Sequence, residues 1–169
     1  MRYVPKPDRG AWHEKAMAAA ERGDLDPFIE LCVKAKETDR LAERLERAGD
    51  RELEGLSHYV TEPAAKALIK AHPAIAARLF RALCMRILNA AKSKYYDAAL
   101  ANLEEARKCY LAAGIEHRWE ALALEIRRDH YRKSSFMPGF NAIVAGKRAQ
   151  VEPSFLDRAR WRWVSKTKA

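Results

Sequence analysis

The side chains best suited to chemistry in this sequence are basic residues interleaved with tryptophan. In Arg158-Ala159-Arg160-Trp161-Arg162-Trp163, followed by Lys166 and Lys168, arginines can neutralise phosphates and tryptophans can stack on bases. On a helix Arg158 and Arg162 share a face, while Phe155, Ala159 and Trp163 form an apolar stripe at i, i+4, i+8. That stripe suits docking of the segment onto the rest of the chain through Trp163. Trp161 points about 160° away around the helix, which leaves it for a partner or stacking contact. A second cluster, Arg127, Arg128, Arg132 and Lys133, covers a broad strip near a predicted helix C-terminus. Cations there either complement the helix dipole or begin an anion-binding surface. Arg127, Arg128, Arg132, Lys133, Arg158, Arg160 and Arg162 are therefore the expected polyanion-binding residues.

Other chemistries leave no pattern. The histidines at 13, 58, 72, 117 and 130 and the three cysteines make no CxxC, HxxxH or HExxH spacing, so no metal ligand is expected. Asp24 with Asp26, and Glu104 with Glu105, are acidic pairs that read as a helix start and a solvated face. No glycine-rich phosphate loop, nucleophile elbow or Cys-His pair occurs. No catalytic or cofactor-binding residue and no cofactor are expected. Cys32, Cys84 and Cys109 lie among apolar residues, where a thiol packs as a small hydrophobe, and the expected compartment is a reducing cytoplasm.

The charge is distributed unevenly. The chain has 169 residues and a net charge of +9; residues 127–169 hold 11 Lys/Arg against 3 Asp/Glu, and residues 1–126 hold 21 against 20. A neutral body with a strongly basic C-terminal quarter suggests a polyanionic partner for that end, or a solvated tail that keeps the protein soluble. The start, MRYVPKPDRG, has no apolar core and does not read as a signal peptide. The most apolar stretch, Ala74 to Ala91, is interrupted by Arg78, Arg81 and Arg86 and does not read as a membrane span.

The elements that must position these residues are all helical. Apolar residues make up 49% of the chain with only 7 Gly and 7 Pro, which disfavours a β-sandwich or barrel. Helical spacing predicts a first helix from about Ala11 to Glu21 with Trp12, Ala16 and Ala19 buried. A second opens at Asp26-Pro27 with Phe28, Leu31, Cys32 and Ala35 on one stripe. A third carries Leu41, Leu45 and Ala48 up to Gly49; a fourth starts at Asp50 and passes through Leu53, Leu56 and Val60; a fifth opens at Thr61-Glu62-Pro63. From Pro73 to about Lys92 runs a long helix, apolar on two adjacent faces and so expected between neighbours. Tyr96 to Ala112 and a helix carrying Trp119, Leu122, Ala123, Ile126 and His130 form a hairpin joined at Ala113-Gly114. After the breaker Ser134-Ser135-Phe136-Met137-Pro138-Gly139 comes a short apolar segment, Phe140 to Ala145. The expected organisation is a helical-repeat domain at 1–146 and a basic C-terminal helix or tail at 147–169, docked on it.

Tyr96-Asp97-Ala98-Ala99-Leu100-Ala101-Asn102-Leu103-Glu104-Glu105-Ala106 resembles the second helix of a tetratricopeptide-type repeat, with small Ala99 and Ala106 flanking Leu103. The order Gly23-Asp24-Leu25-Asp26-Pro27-Phe28-Ile29-Glu30-Leu31, then the Tyr-Asp-Ala-Ala helix, then Trp119-Glu120 and Arg127-Arg128-Asp129-His130-Tyr131-Arg132-Lys133, resembles the α-helical region of bacterial SWIM zinc-finger proteins and related bacterial helical domains of unknown function. The likeness covers roughly residues 12–135. It implies an all-α fold of antiparallel hairpins stacked as a tetratricopeptide-like right-handed superhelix. The Cys-x-Cys and Cys-x-His of the finger are missing, so DNA association through that finger does not carry over. The expected function is a non-enzymatic helical-repeat interaction module, an adaptor or scaffold, with a protein partner and no membrane. The alternatives are a nucleic-acid-binding module acting through the basic C-terminal quarter, and an enzyme of unrecognised class.

Overall fold

Helix ends, more than helix interiors, decide how this chain folds back on itself. The computed structural model describes residues 8–146. Among them the regular structure is helical, with no strand: α1 (Arg9–Glu21), α2 (Leu25–Ala35), α3 (Thr38–Arg47), α4 (Asp50–Gly55), α5 (His58–Leu68), α6 (Pro73–Asn89), α7 (Tyr96–Ala112), α8 (Glu116–His130) and α9 (Met137–Val144), with a 3-10 turn at Ser93–Tyr95 before α7. The tail at 147–169, with Arg158, Arg160, Trp161 and Arg162, lies outside the described residues, as does its expected docking.

Three helices stop through the same device. The amide of Glu37 bonds to the Cys32 carbonyl at 3.0 Å, that of Lys92 to Ile87 at 3.4 Å, and that of Ile115 to Tyr110 at 3.1 Å. In each case the preceding residue turns left-handed: Lys36 at φ 62°, Ala91 at φ 51° and Gly114 at φ 68°. This closure satisfies carbonyls that the helix leaves orphaned. It also turns the chain sharply within a few residues between α2 and α3, α6 and α7, and α7 and α8.

Helix α6 lies at the centre. Its Ile75, Ala76, Ala77, Leu79, Phe80, Ala82, Leu83, Cys84, Met85 and Leu88 are all buried. It packs most extensively on α7 and also on α5, α4 and α3. The contact with α7 is close because its residues are small: Ala76, Ala77 and Ala82 on α6, and Ala99 and Ala106 on α7, are at most 1% exposed. Small side chains let two helix axes approach, and Leu103 fills the space between them. The expected burial of Ala99, Leu103 and Ala106, and of Trp119, Leu122, Ala123, Ile126 and His130, is what is observed.

Elsewhere the sequence pattern gave a different register. In α1 the buried residue is Met17, while Trp12 is 55% exposed and Ala16 and Ala19 face solvent. Burying one long unbranched side chain removes more apolar area than burying two alanine methyls. Polar contacts to α3 agree with that rotation: His13 Nε2 meets Glu37 Oε1 at 3.0 Å, and Arg40 donates to Glu14 at 2.7 Å. Helix α2 starts at Leu25, which brings Leu25 into the core. Asp26 sits in its first turn and accepts a hydrogen bond from the Ser57 amide at 3.4 Å. The predicted fourth helix is broken at Leu56, and α5 begins at His58 with Pro63 inside it. Thr61, expected at a helix start, is buried and donates its hydroxyl to the Ser57 carbonyl at 2.8 Å. Helix α9 rests on α7, where a Cβ on Gly139 would collide with the Leu100 side chain. The glycine thus lets α9 approach α7 without displacing the Leu100 side chain.

The left-handed residue at the end of α6 is an alanine, which pays a steric penalty that Gly114 avoids. Ala91→Gly is expected to stabilise the protein by about 1 kcal/mol, and Gly114→Ala to destabilise it by a similar amount. Urea unfolding midpoints decide this; a lower midpoint for Ala91→Gly would contradict the left-handed closure at residue 91.

Candidate functional site: a groove floored by the α6 arginines

The arginines that interrupt the apolar run of α6 are built into the fold. Arg78 donates from Nη1 to the Leu45 carbonyl at 3.1 Å, and from Nη2 to the Ala48 carbonyl at 2.6 Å and Asp50 Oδ1 at 3.1 Å. It thereby closes the C-terminal turn of α3, whose carbonyls lack intrahelical partners and carry the negative end of the dipole. Arg86 does the same for α4, donating to the Leu56 carbonyl at 2.7 Å. Arg81 is held between α4 and α8. Its guanidinium meets Glu54 at 3.0 Å, Asp50 at 3.5 Å and both oxygens of Glu125 at 3.2 Å. Burial pushes its pKa down, but Glu125, Asp50 and Glu54 outweigh burial and leave it above the ordinary arginine value.

Above Arg78 and Arg81 lies a groove. Two open cavities of about 380 and 480 Å³ share Asp50, Arg78 and Arg118. The α3–α4 junction forms one wall through Glu46 and Asp50, and the N-terminal half of α8 forms the other through Arg118, Ala121 and Glu125. Tyr110 of α7 reaches the floor. Burial raises its phenol above the usual tyrosine range, with Arg81 opposing, so the hydroxyl remains a donor at neutral pH. Arg118 is exposed, and among the described residues no carboxylate lies within 4.0 Å of it. The floor charges are engaged with one another, whereas Arg118 faces the open groove.

The thiols are sealed off. Cys32, Cys84 and Cys109 are free and buried. Burial pushes Cys84 up to about 12 and Cys32 up to about 11, far from the thiolate form that reacts at neutral pH. Among the described residues no three His, Cys, Asp or Glu side chains are grouped to hold a metal ion. No described helix is long and apolar enough to cross a membrane.

The sequence-predicted cluster at the end of α8 is gathered only in part. Arg127, Arg128 and Arg132 are exposed and Lys133 is half-buried. Arg128 is bound through two nitrogens to its neighbour Asp129 at 2.7 and 2.9 Å, so much of its charge is cancelled locally. Helix α8 ends at His130, which places Arg132 and Lys133 in the turn beyond it and not on the helical strip expected. Arg132 donates to the Tyr131 hydroxyl at 2.9 Å, and Arg127 lies 5.9 Å from the Phe140 ring centre.

The family model for a family of unknown function, DUF6880, matches residues 5–138 of this chain. The chain belongs to that family. The match spans the groove and the α8 cluster and stops two residues into α9. No curated protein and no solved structure matches the chain.

What sequence reasoning missed was the role of Arg78, Arg81 and Arg86. The available signal was their setting: arginines on a helix predicted to be buried on two faces must meet acceptors. Removing Arg81 leaves the part-buried Glu54 and Glu125 uncompensated, while Asp50 stays half in solvent. Arg81→Met, which leaves Asp50, Glu54 and Glu125 facing one another, is expected to cost about 2 kcal/mol. Adding Glu125→Gln to Arg81→Met should recover part of that loss. Chemical unfolding of both variants measures the effect, and a stability loss under about 0.5 kcal/mol for Arg81→Met would rule out the network as a fold constraint.

His130 supplies a pH dependence. It is buried and its Nε2 has no hydrogen-bond partner. Burial, then Lys133, lowers its pKa, while Asp129 and Glu125 oppose the shift. The unfolded chain therefore takes up the proton more readily than the folded one. Stability is full above the ordinary histidine pKa and falls as the pH drops through it. Thermal melts between pH 7.5 and 5.5 are expected to show a declining Tm that His130→Leu flattens; an identical decline in the variant would assign the effect to other groups.

Proposed function

We propose that this protein is a non-enzymatic helical-repeat interaction module. Its antiparallel hairpins form a tetratricopeptide-like right-handed stack, and an extended segment of a partner protein lies along the groove between the α3–α4 junction and α8. The observation that supports this most directly is the continuity of the two cavities over Asp50, Arg78 and Arg118. An open trough with an engaged, rigid floor suits a chain segment better than a small substrate, which needs an enclosing pocket. Arg78 and Arg81 spend their donors on α3, α4 and α8, so they hold the walls apart and offer little to a reacting group. The partner segment would bring an acidic side chain to Arg118 and apolar groups to Ile75 and Leu122. Hairpins stacked as a helical repeat would create an extended concave surface of the kind this reading needs.

Arg118 and Ala121 are exposed groove residues, so substituting them tests the surface with little risk to the fold. A photo-crosslinking side chain at position 121 in the full chain should give protein adducts that survive nuclease treatment. Arg118→Glu should reduce their yield at least tenfold while Tm stays within about 2 °C. Adducts at position 121 that persist undiminished in Arg118→Glu, or none at all under conditions where the protein is active in cells, would sink the groove as the binding surface.

A further inference from the structure

The antiparallel hairpin of α7 and α8 places two basic turns, far apart in sequence, at one end of the molecule. One is the turn before α7, Lys92 to Tyr95; the other follows α8, Tyr131 to Lys133. They flank a shared aromatic contact. The Tyr96 ring packs edge-on against Phe136 with centroids 5.6 Å apart, and the Phe136 amide bonds back to the Lys133 carbonyl at 2.9 Å. Each turn exposes a tyrosine with a cation against its ring. Tyr95 is 45% exposed with Lys94 Nζ 4.8 Å from the ring centre, and Tyr131 is 60% exposed with the Arg132 guanidinium at 5.3 Å. The Arg132 bond to the Tyr131 hydroxyl fixes that pair further. Among the described residues, no ion pair within 4.0 Å involves Lys92, Lys94, Arg127, Arg132 or Lys133. Asp97, in the first turn of α7, is the one carboxylate in that segment.

We propose that this end of the protein binds single-stranded nucleic acid, with Tyr95 and Tyr131 stacking on unpaired bases and the five cations meeting phosphates. Exposed aromatic rings interleaved with free cations are the two elements that sequence-tolerant single-strand binding needs. A duplex would satisfy the cations and leave the rings idle, because its bases are already stacked. An acidic peptide would leave them idle as well. Arg128 contributes little, since Asp129 holds it. The surface lies at the opposite end of α8 from Arg118, so it is independent of the groove.

The test uses the full chain and fluorescence anisotropy with a labelled 12-nucleotide single strand, its duplex, polyglutamate, and vesicles of phosphatidylcholine with phosphatidylglycerol. The single strand is expected to bind most tightly, with affinity falling about a hundredfold between 50 and 200 mM salt, as five phosphate contacts on a single strand imply. Lys94→Ala with Arg132→Ala should weaken binding at least tenfold and make the salt dependence shallower. Tyr95→Ala with Tyr131→Ala should weaken it about tenfold with the salt dependence unchanged, an effect that charge alone does not produce. Arg118→Glu should leave it unaltered. Equal affinity for strand and duplex, tighter binding to vesicles or polyglutamate, or tyrosine variants indistinguishable from wild type would each overturn the proposal. So would loss of binding in Arg158→Ala/Arg160→Ala/Arg162→Ala while the tyrosine variants bind normally.

Discussion

A guanidinium inside a helical bundle has to be surrounded by acceptors, and this fold is arranged around meeting that demand on α6. Arg78 and Arg81 project, largely buried, from a helix covered on most of its circumference, and Arg86 reaches out from its exposed edge. Left without partners, Arg78 and Arg81 would each oppose folding by several kcal/mol. The acceptors come from the weakest parts of the structure: the last carbonyls of α3, the end of six-residue α4, and a carboxylate on α8. Short helices such as α4 have little stability of their own. Their position depends on tertiary contacts, and here those contacts are charged donors on the central helix.

The same arrangement explains why there is a groove. Arg78 and Arg81 are long side chains whose planar heads reach outward from α6 to α3, α4 and α8. Between their attachment points the walls cannot close onto α6 without expelling the guanidiniums. The opening over Asp50, Arg78 and Arg118 is therefore a consequence of how the arginines bridge, and its walls are fixed by directional bonds on both sides. The proposed binding surface, held in this way, would lose little conformational freedom on engaging a partner, which would favour affinity.

Helix content was legible in the sequence because apolar residues recur at helical spacing in nearly every element. The α7–α8 hairpin was legible in detail: Ala99, Leu103 and Ala106 occupy the close-packed positions, and Gly114 provides the left-handed turn. Rotation about the axis was not legible in α1, where Trp12, Ala16 and Ala19 compete with His13, Met17 and Ala20 one residue away. Periodicity cannot choose between adjacent stripes of similar polarity; contacts from α3 did. Pro63 misled because proline is favoured in a first turn, yet the helix had already begun at His58. The candidate site was legible only at the α8 end. Arg127, Arg128, Arg132 and Lys133 form a visible cluster, but the cancellation of Arg128 by Asp129 and the arrival of Lys92, Lys94 and Tyr95 from another turn depend on the fold. The groove had no local signature, since its residues come from five helices.

Helix α8 connects the two proposed surfaces and also limits how they can communicate. Arg118 and Tyr131 are thirteen residues apart, about 20 Å along the axis, so one ligand would have to be long to span both. Glu125 lies between them, bound to Arg81 through both oxygens. Any rotation or shift of α8 that passed a signal from one end to the other would break that contact and expose the Arg81 network. Such a step is costly for a buried ion pair, and coupling between distant sites requires an element with two accessible arrangements. With α8 fastened at its midpoint, the groove and the basic end are expected to act independently, as two surfaces on one rigid rod that bring their ligands together without altering each other's affinity.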